Sequence, residues 1–192
     1  MGNDSYALTN MNILSIPLEV AGQRNSEDTF VYYDKSAAGF KRAIVPADTA
    51  LVSLTATTAI TKKAHANRRM IVTGTGAAAA MTLPEATGTG DRYIFIMGQV
   101  NTSGTTFVNA DTTNCSYHGS MNLLDVDSTA QTAYFTVTAG GTDTVTFNGT
   151  TTGGQIGDFV EFVDIATDKW MVFGQARVPA GSNIATPFSS AA

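Results

Sequence analysis

Cys115 and His118 stand in a C-x-x-H spacing, which brings a thiol and an imidazole close together in the chain. Such a pair could supply two metal ligands, or a nucleophile and its base. A closed zinc site needs four ligands, and the only other histidine, His65, has no second cysteine to join it. A thiolate nucleophile needs a third group to orient its base, and the sequence announces none. The pair therefore reads as a small buried thiol beside a loop histidine. Asp125 and Asp127 place two carboxylates on one face of a strand, an arrangement that does acid and base work in glycosidases. At a strand end, alternate acids are commoner as a solvated polar face. No catalytic residue, metal site or cofactor is assigned on either constellation, and the expectation is a protein that is not an enzyme.

Gly74-Thr75-Gly76-Ala77-Ala78-Ala79 follows the strand-like Met70-Ile71-Val72-Thr73 and matches a dinucleotide-binding fingerprint. That fingerprint works only where a helix begins and aims its N-terminus at a pyrophosphate. Pro84 and the turn Gly88-Thr89-Gly90 arrive too soon for that helix, so the segment reads as a β-turn.

The basic pairs Lys41-Arg42, Lys62-Lys63 and Arg68-Arg69 are the main charge feature. Eight basic and six acidic residues lie up to Arg69, against three basic and ten acidic after it, for a net charge of -5. Lined up on one side, these pairs would complement an acidic protein lattice and would govern orientation and association rate more than affinity. Aromatic residues are not interleaved with them as a single-stranded nucleic-acid platform requires, so no nucleic-acid partner is expected.

The elements that would carry these residues are strands. Only 14% of the 192 residues are charged, and Thr, Gly, Ala and Val are abundant, a mixture that suits pleated strands and tight turns. Alternating runs predict strands over 51–57, 70–75, 81–83, 92–97, 105–109, 121–126, 132–138, 144–147, 159–165 and 170–174. The Gly-Gly loop at Gly140-Gly141 predicts a hairpin between the runs at Tyr134–Thr138 and Thr144–Phe147. A second hairpin turns at Ala166-Thr167-Asp168-Lys169, with Phe159, Glu161, Val163 and Ile165 on one face and Val160, Phe162 and Asp164 on the other. Trp170 reads as a core plug. No 3.6-residue period persists, so helices should be few and short. The fold class is all-β: an antiparallel β-sandwich or barrel, jelly-roll-like, with an extended N-terminal arm.

Residues 1–48 read as that arm, 49–176 as the core and 177–192 as an extended C-terminal tail. Ile13, Leu14, Ile16 and Leu18 would anchor the arm, and Phe30, Tyr32 and Tyr33 would pack at a subunit boundary. The start of the chain lacks a basic run followed by an apolar stretch, and no segment approaches the roughly 18 apolar residues of a membrane span. A soluble product made in the cytoplasm, with no membrane partner, is the expectation.

The stretch Met81-Thr82-Leu83-Pro84 followed by the Gly88-Thr89-Gly90 turn, and the stretch Gly157-Asp158-Phe159 through Lys169-Trp170-Met171-Val172, resemble segments of tailed-bacteriophage virion proteins. The resemblance runs from about Thr49 to Phe188 and is strongest to capsid decoration, or cement, proteins. It implies a non-catalytic protein on the outer surface of the capsid, usually trimeric, that ties neighbouring major capsid protein subunits together. The same motifs occur in phage fibre and spike domains, so a tail-fibre or receptor-binding domain is the alternative.

Overall fold

The structure, a computed structural model, describes residues 29–34, 39–44, 51–74, 79–109, 114–126, 132–137 and 141–190. The chain divides into two units, Met1–Thr49 and Ala50–Ala192. In the first, β1 (Thr29–Asp34) pairs antiparallel with β2 (Gly39–Ile44), setting Tyr32 opposite Lys41 and Val31 opposite Arg42. Ile13, Leu14, Ile16 and Leu18 lie outside the described residues.

The second unit is a β-sandwich of one seven-stranded and one five-stranded sheet. Its first six strands are β3 (Val52–Leu54), β4 (Thr58–Ala59), β5 (Arg68–Val72), β6 (Ala79–Leu83), β7 (Arg92–Met97) and β8 (Thr105–Asn109). They alternate between the sheets, so that β3, β5 and β7 lie side by side in one and β4, β6 and β8 in the other. Every ladder within those two sets is parallel. The chain thus winds as a coil, each connection arching from sheet to sheet rather than turning back on its own strand. A one-turn helix, α1 (Lys62–His65), sits in one arch, capped by the Thr61 side chain.

The remaining strands close the sandwich. β9 (Ser116–Asp125), β10 (Thr132–Thr136), β12 (Phe159–Ala166) and β13 (Lys169–Val178) join the larger sheet, whose order is β10-β9-β13-β12-β7-β5-β3. β11 (Thr144–Phe147) and β14 (Phe188–Ser189) complete the smaller, ordered β14-β11-β8-β6-β4. The all-β sandwich expected from the sequence is present, as an open two-sheet structure with mixed ladders rather than antiparallel ones throughout. The β12–β13 hairpin turns at Thr167-Asp168 as expected, with Asp168 at a φ of 60°. The other predicted hairpin does not form: β10 pairs with β9, whereas β11 pairs with β8 and β14 in the opposite sheet. The two runs therefore belong to different sheets. The C-terminal segment also differs from expectation, since Arg177 and Val178 continue β13 and Phe188 pairs opposite Val145.

The core forms where the inward faces meet. Phe107 of the smaller sheet packs against Phe95 of the larger at 4.9 Å between ring centroids and against Phe162 at 6.1 Å. Trp170 is fully buried, as a core plug should be, with its ring edge-on to Tyr93 at 5.5 Å. Tyr117 donates its buried hydroxyl to the Phe107 carbonyl at 3.0 Å, which bridges the sheets with a polar contact. Burial raises its pKa well above the ordinary tyrosine value.

Candidate binding face

Cys115 and His118 are not brought together. β9 turns Tyr117 inward and His118 outward, and Cys115 is buried. His118 Nε2 instead lies 3.0 Å from the Ser116 hydroxyl on the same outward face. Asp125 ends β9, and Asp127 lies outside the described residues. Gly74 leads towards β6, a strand where the nucleotide fingerprint requires a helix. Among the described residues no three His, Cys, Asp or Glu side chains are placed to hold a metal, and no helix is long and apolar enough to cross a membrane.

Two buried carboxylates organise loops. Asp164 accepts the N–H of Thr87 at 2.9 Å, the N–H of Gly88 at 2.5 Å and the hydroxyl of Thr89 at 2.9 Å. Burial alone would raise its pKa, but these donors outweigh it and hold the carboxyl below its ordinary value. Asp158 accepts the N–H groups of Gly154 and Gln155 at 2.8 Å and that of Arg177 at 3.1 Å. The Arg177 guanidinium adds a contact at 3.2 Å and also donates to the Ile156 carbonyl. Such engagement of a buried side chain with local donors is the mark of a loop brace, because most of its acceptor capacity is already taken.

The basic pairs divide. Lys62 is drawn into the Asp164 brace, its Nζ 2.6 Å from the Thr87 hydroxyl and 3.7 Å from the Asp164 carboxylate. Lys63 neighbours it on α1, while Arg68 begins β5. Arg69 is exposed on the outward side of the larger sheet, opposite Ile94 in register. Lys41 and Arg42 lie on β2 of the other unit, and Phe30, Tyr32 and Tyr33 on β1.

The larger sheet presents an outward face with more apolar surface than a solvated sheet needs. β13 alternates without interruption between exposed and buried positions, sending Met171, Phe173 and Gln175 outward. In register beside them stand Val163, Glu161 and Phe159 of β12 on one side, and His118, Ser120 and Asn122 of β9 on the other. Tyr134 of β10 follows opposite Asn122. Phe173 is 52% exposed and Tyr134 74%, and the Phe159 and Phe173 rings touch at 6.0 Å. Arg92 pairs with Glu161 at 2.6 Å within this face. Met171, Phe173, Phe159 and Val163 make the apolar part of this face, and the polar His118, Ser120 and Asn122 of β9 stand between it and Tyr134; exposed apolar surface rimmed by polar groups marks an interaction site. Sequence reasoning placed Phe159, Glu161, Val163 and Ile165 on one face correctly. It missed that Met171, Phe173 and Tyr134 extend the same face, since that depends on which strands are neighbours. Compared with known proteins, the chain matches no protein-family model, no curated protein and no solved structure.

Proposed function

We propose that this chain is a virion structural protein that decorates a tailed-bacteriophage capsid, binding across neighbouring major capsid protein subunits as an oligomer. The observation that carries the reading is the outward face of the larger sheet, where Phe173, Met171 and Tyr134 are exposed on a rigid platform. A platform of strands loses little conformational entropy on docking, so apolar contact made there converts efficiently into affinity. The loop carboxylates serve as braces, and Cys115 is sequestered, which favours a binding role over catalysis. The resemblance of Met81-Thr82-Leu83-Pro84 and Lys169-Trp170-Met171-Val172 to phage virion segments points the same way. Co-sedimentation with capsids stripped of their surface protein tests the reading. The full chain should pellet with heads, and Phe173→Glu should weaken that binding while leaving the fold intact. A full chain that stays in the supernatant overturns it.

A fibre or receptor-binding domain is the second reading. One arrangement favours it: Tyr134, aromatic and exposed, stands in register with the amides of Asn122 and Gln175, as in faces that bind sugars. Immunolabelling of virions discriminates, with label on heads supporting decoration and label on tails supporting a fibre.

A further inference from the structure

We propose that β10 is a self-pairing edge, through which two copies of the chain join antiparallel about a two-fold axis at Tyr134. Among the described residues, the sandwich has four edge strands. Three are protected by their brevity: β3 has 3 residues, β4 has 2 and β14 has 2. β10, Thr132-Ala133-Tyr134-Phe135-Thr136, has 5 and pairs with β9 without a bulge. It carries no charge and no proline, the devices by which edge strands are normally blunted.

The hydrogen-bond phase of β10 shows which groups face outward from the sheet. Val137 N–H donates to the Gly119 carbonyl of β9 at 3.0 Å, directly opposite in register. Alternation along an antiparallel ladder then directs the backbone groups of Phe135 and Ala133 to β9 as well. The N–H and C=O groups of Thr132, Tyr134 and Thr136 point away from the sheet, along its free edge.

The strand is complementary to itself about its centre. Antiparallel pairing at Tyr134 lets each Tyr134 N–H donate to the Tyr134 carbonyl of the second copy. Thr132 of one copy then meets Thr136 of the other in an equivalent hydrogen-bonded pair. Ala133 meets Phe135, a small side chain opposite a large one, and no like charges are opposed. Cross-strand Tyr-Tyr and Thr-Thr pairs are both favourable. A second copy of β10 therefore satisfies every free backbone group of the edge, with the larger sheet continuing from one copy into the next. Such an isologous contact closes on itself as a dimer. It stands apart from the virion reading, since the edge is defined by this chain alone.

Sedimentation velocity on the full chain over a concentration series should show a monomer–dimer equilibrium. Tyr134→Pro deletes the N–H that crosses the axis and spares the β9 ladder, because that N–H faces away from β9. It should leave circular dichroism unchanged and raise the dimer Kd by roughly tenfold or more, the worth of two lost hydrogen bonds. Tyr134→Lys sets two ammonium-bearing residues opposite one another at about 5.5 Å between Cα atoms. It should weaken the dimer most at low ionic strength and recover in part as salt screens the charges. If Tyr134→Pro fails to fold, Tyr134→Lys decides alone. A full chain that remains monomeric at every concentration overturns the proposal, as does an oligomer that Tyr134→Lys leaves unchanged. Failure to bind heads would leave this result untouched.

Discussion

The Lys62 ammonium lies 3.7 Å from the Asp164 carboxylate, and the two groups differ sharply in exposure: the Lys62 side chain is 39% accessible and that of Asp164 is not accessible at all. The pair ties α1 to the inward side of β12. The carboxylate is the indispensable member, because it also gathers the Thr87–Thr89 turn, whereas the ammonium can be replaced by water.

That asymmetry predicts unequal costs. Asp164→Ala strips the N–H groups of Thr87 and Gly88 and the Thr89 hydroxyl of their charged acceptor and should destabilise the fold by about 2 to 3 kcal/mol, the scale of lost hydrogen bonds to a charged group. Lys62→Ala removes a half-exposed charge and should cost only about 1 kcal/mol or less. Paired thermal or denaturant unfolding of the two variants checks the ratio, and equal losses would contradict the brace.

Acid should erode stability in two stages. The His65 imidazole is held below its ordinary value of 6.5 by burial and by the nearby Arg68 charge, although a hydrogen bond with Thr61 opposes them. The unfolded chain therefore binds a proton that the folded chain refuses, and stability falls as pH drops below 6.5 towards the folded value. Asp164 is depressed below 3.8, so its contribution is complete above 3.8 and drains as pH falls through the folded value. Denaturant midpoints measured from pH 7 to pH 2 should show both declines, and His65→Gln should flatten the upper one alone.

Gly119 sits within β9 at a φ of 140°, and a Cβ there would collide with the carbonyl oxygen of Val172 on the neighbouring strand. Gly119→Ala should push β9 and β13 apart and cost about 2 kcal/mol or more, beyond the usual range for a surface substitution. Chemical denaturation of the variant tests this, and an unchanged midpoint would show that the ladder yields freely.

The outward face should separate binding from stability. Phe173 is half exposed on the platform, so Phe173→Glu should change unfolding free energy by only about 0.5 kcal/mol while weakening capsid association severalfold. Phe107→Ala, in the cross-sheet ring cluster, should do the reverse and cost about 3 to 5 kcal/mol. Unfolding curves and head co-sedimentation measured on the same two proteins make the comparison.

Removal of Met1 to Asp48 should leave a folded sandwich, because both sheets are built wholly from residues after Thr49. Under the arm reading the truncated protein should no longer pellet with heads, and normal pelleting would assign binding to the sheet face instead. Circular dichroism on the truncated chain verifies the folded state first.

Much of the architecture was legible in the residues themselves. Phe159-Val160-Glu161-Phe162-Val163-Asp164 declares its two faces because side chains alternate along any strand, and the structure buries Val160, Phe162 and Asp164 as that pattern requires. Asp164 as a brace was not legible, since its partners Thr87, Gly88 and Lys62 are remote in the chain. The outward side of the larger sheet was legible only in part: alternation sets Phe159 and Ile165 on one side of β12, whereas Tyr134 joins that side of the sheet through β9, a neighbour that no local pattern names. The hairpin expected at Gly140-Gly141 failed for the same reason, because a glycine turn serves an arch between sheets as readily as a reversal within one.

The amino-acid order alone determined that this chain makes short strands, and which side of an alternating one such as β12 is apolar. Period-two alternation and glycine punctuation are local properties, decided by pleat geometry and backbone sterics. Only the tertiary structure decided that β5 lies beside β7 and not β6, that Lys62 serves Asp164, and that β10 is the last strand of the larger sheet among the described residues. Strand partnership arises from how two apolar faces close over each other, a choice made by packing between residues far apart in the chain.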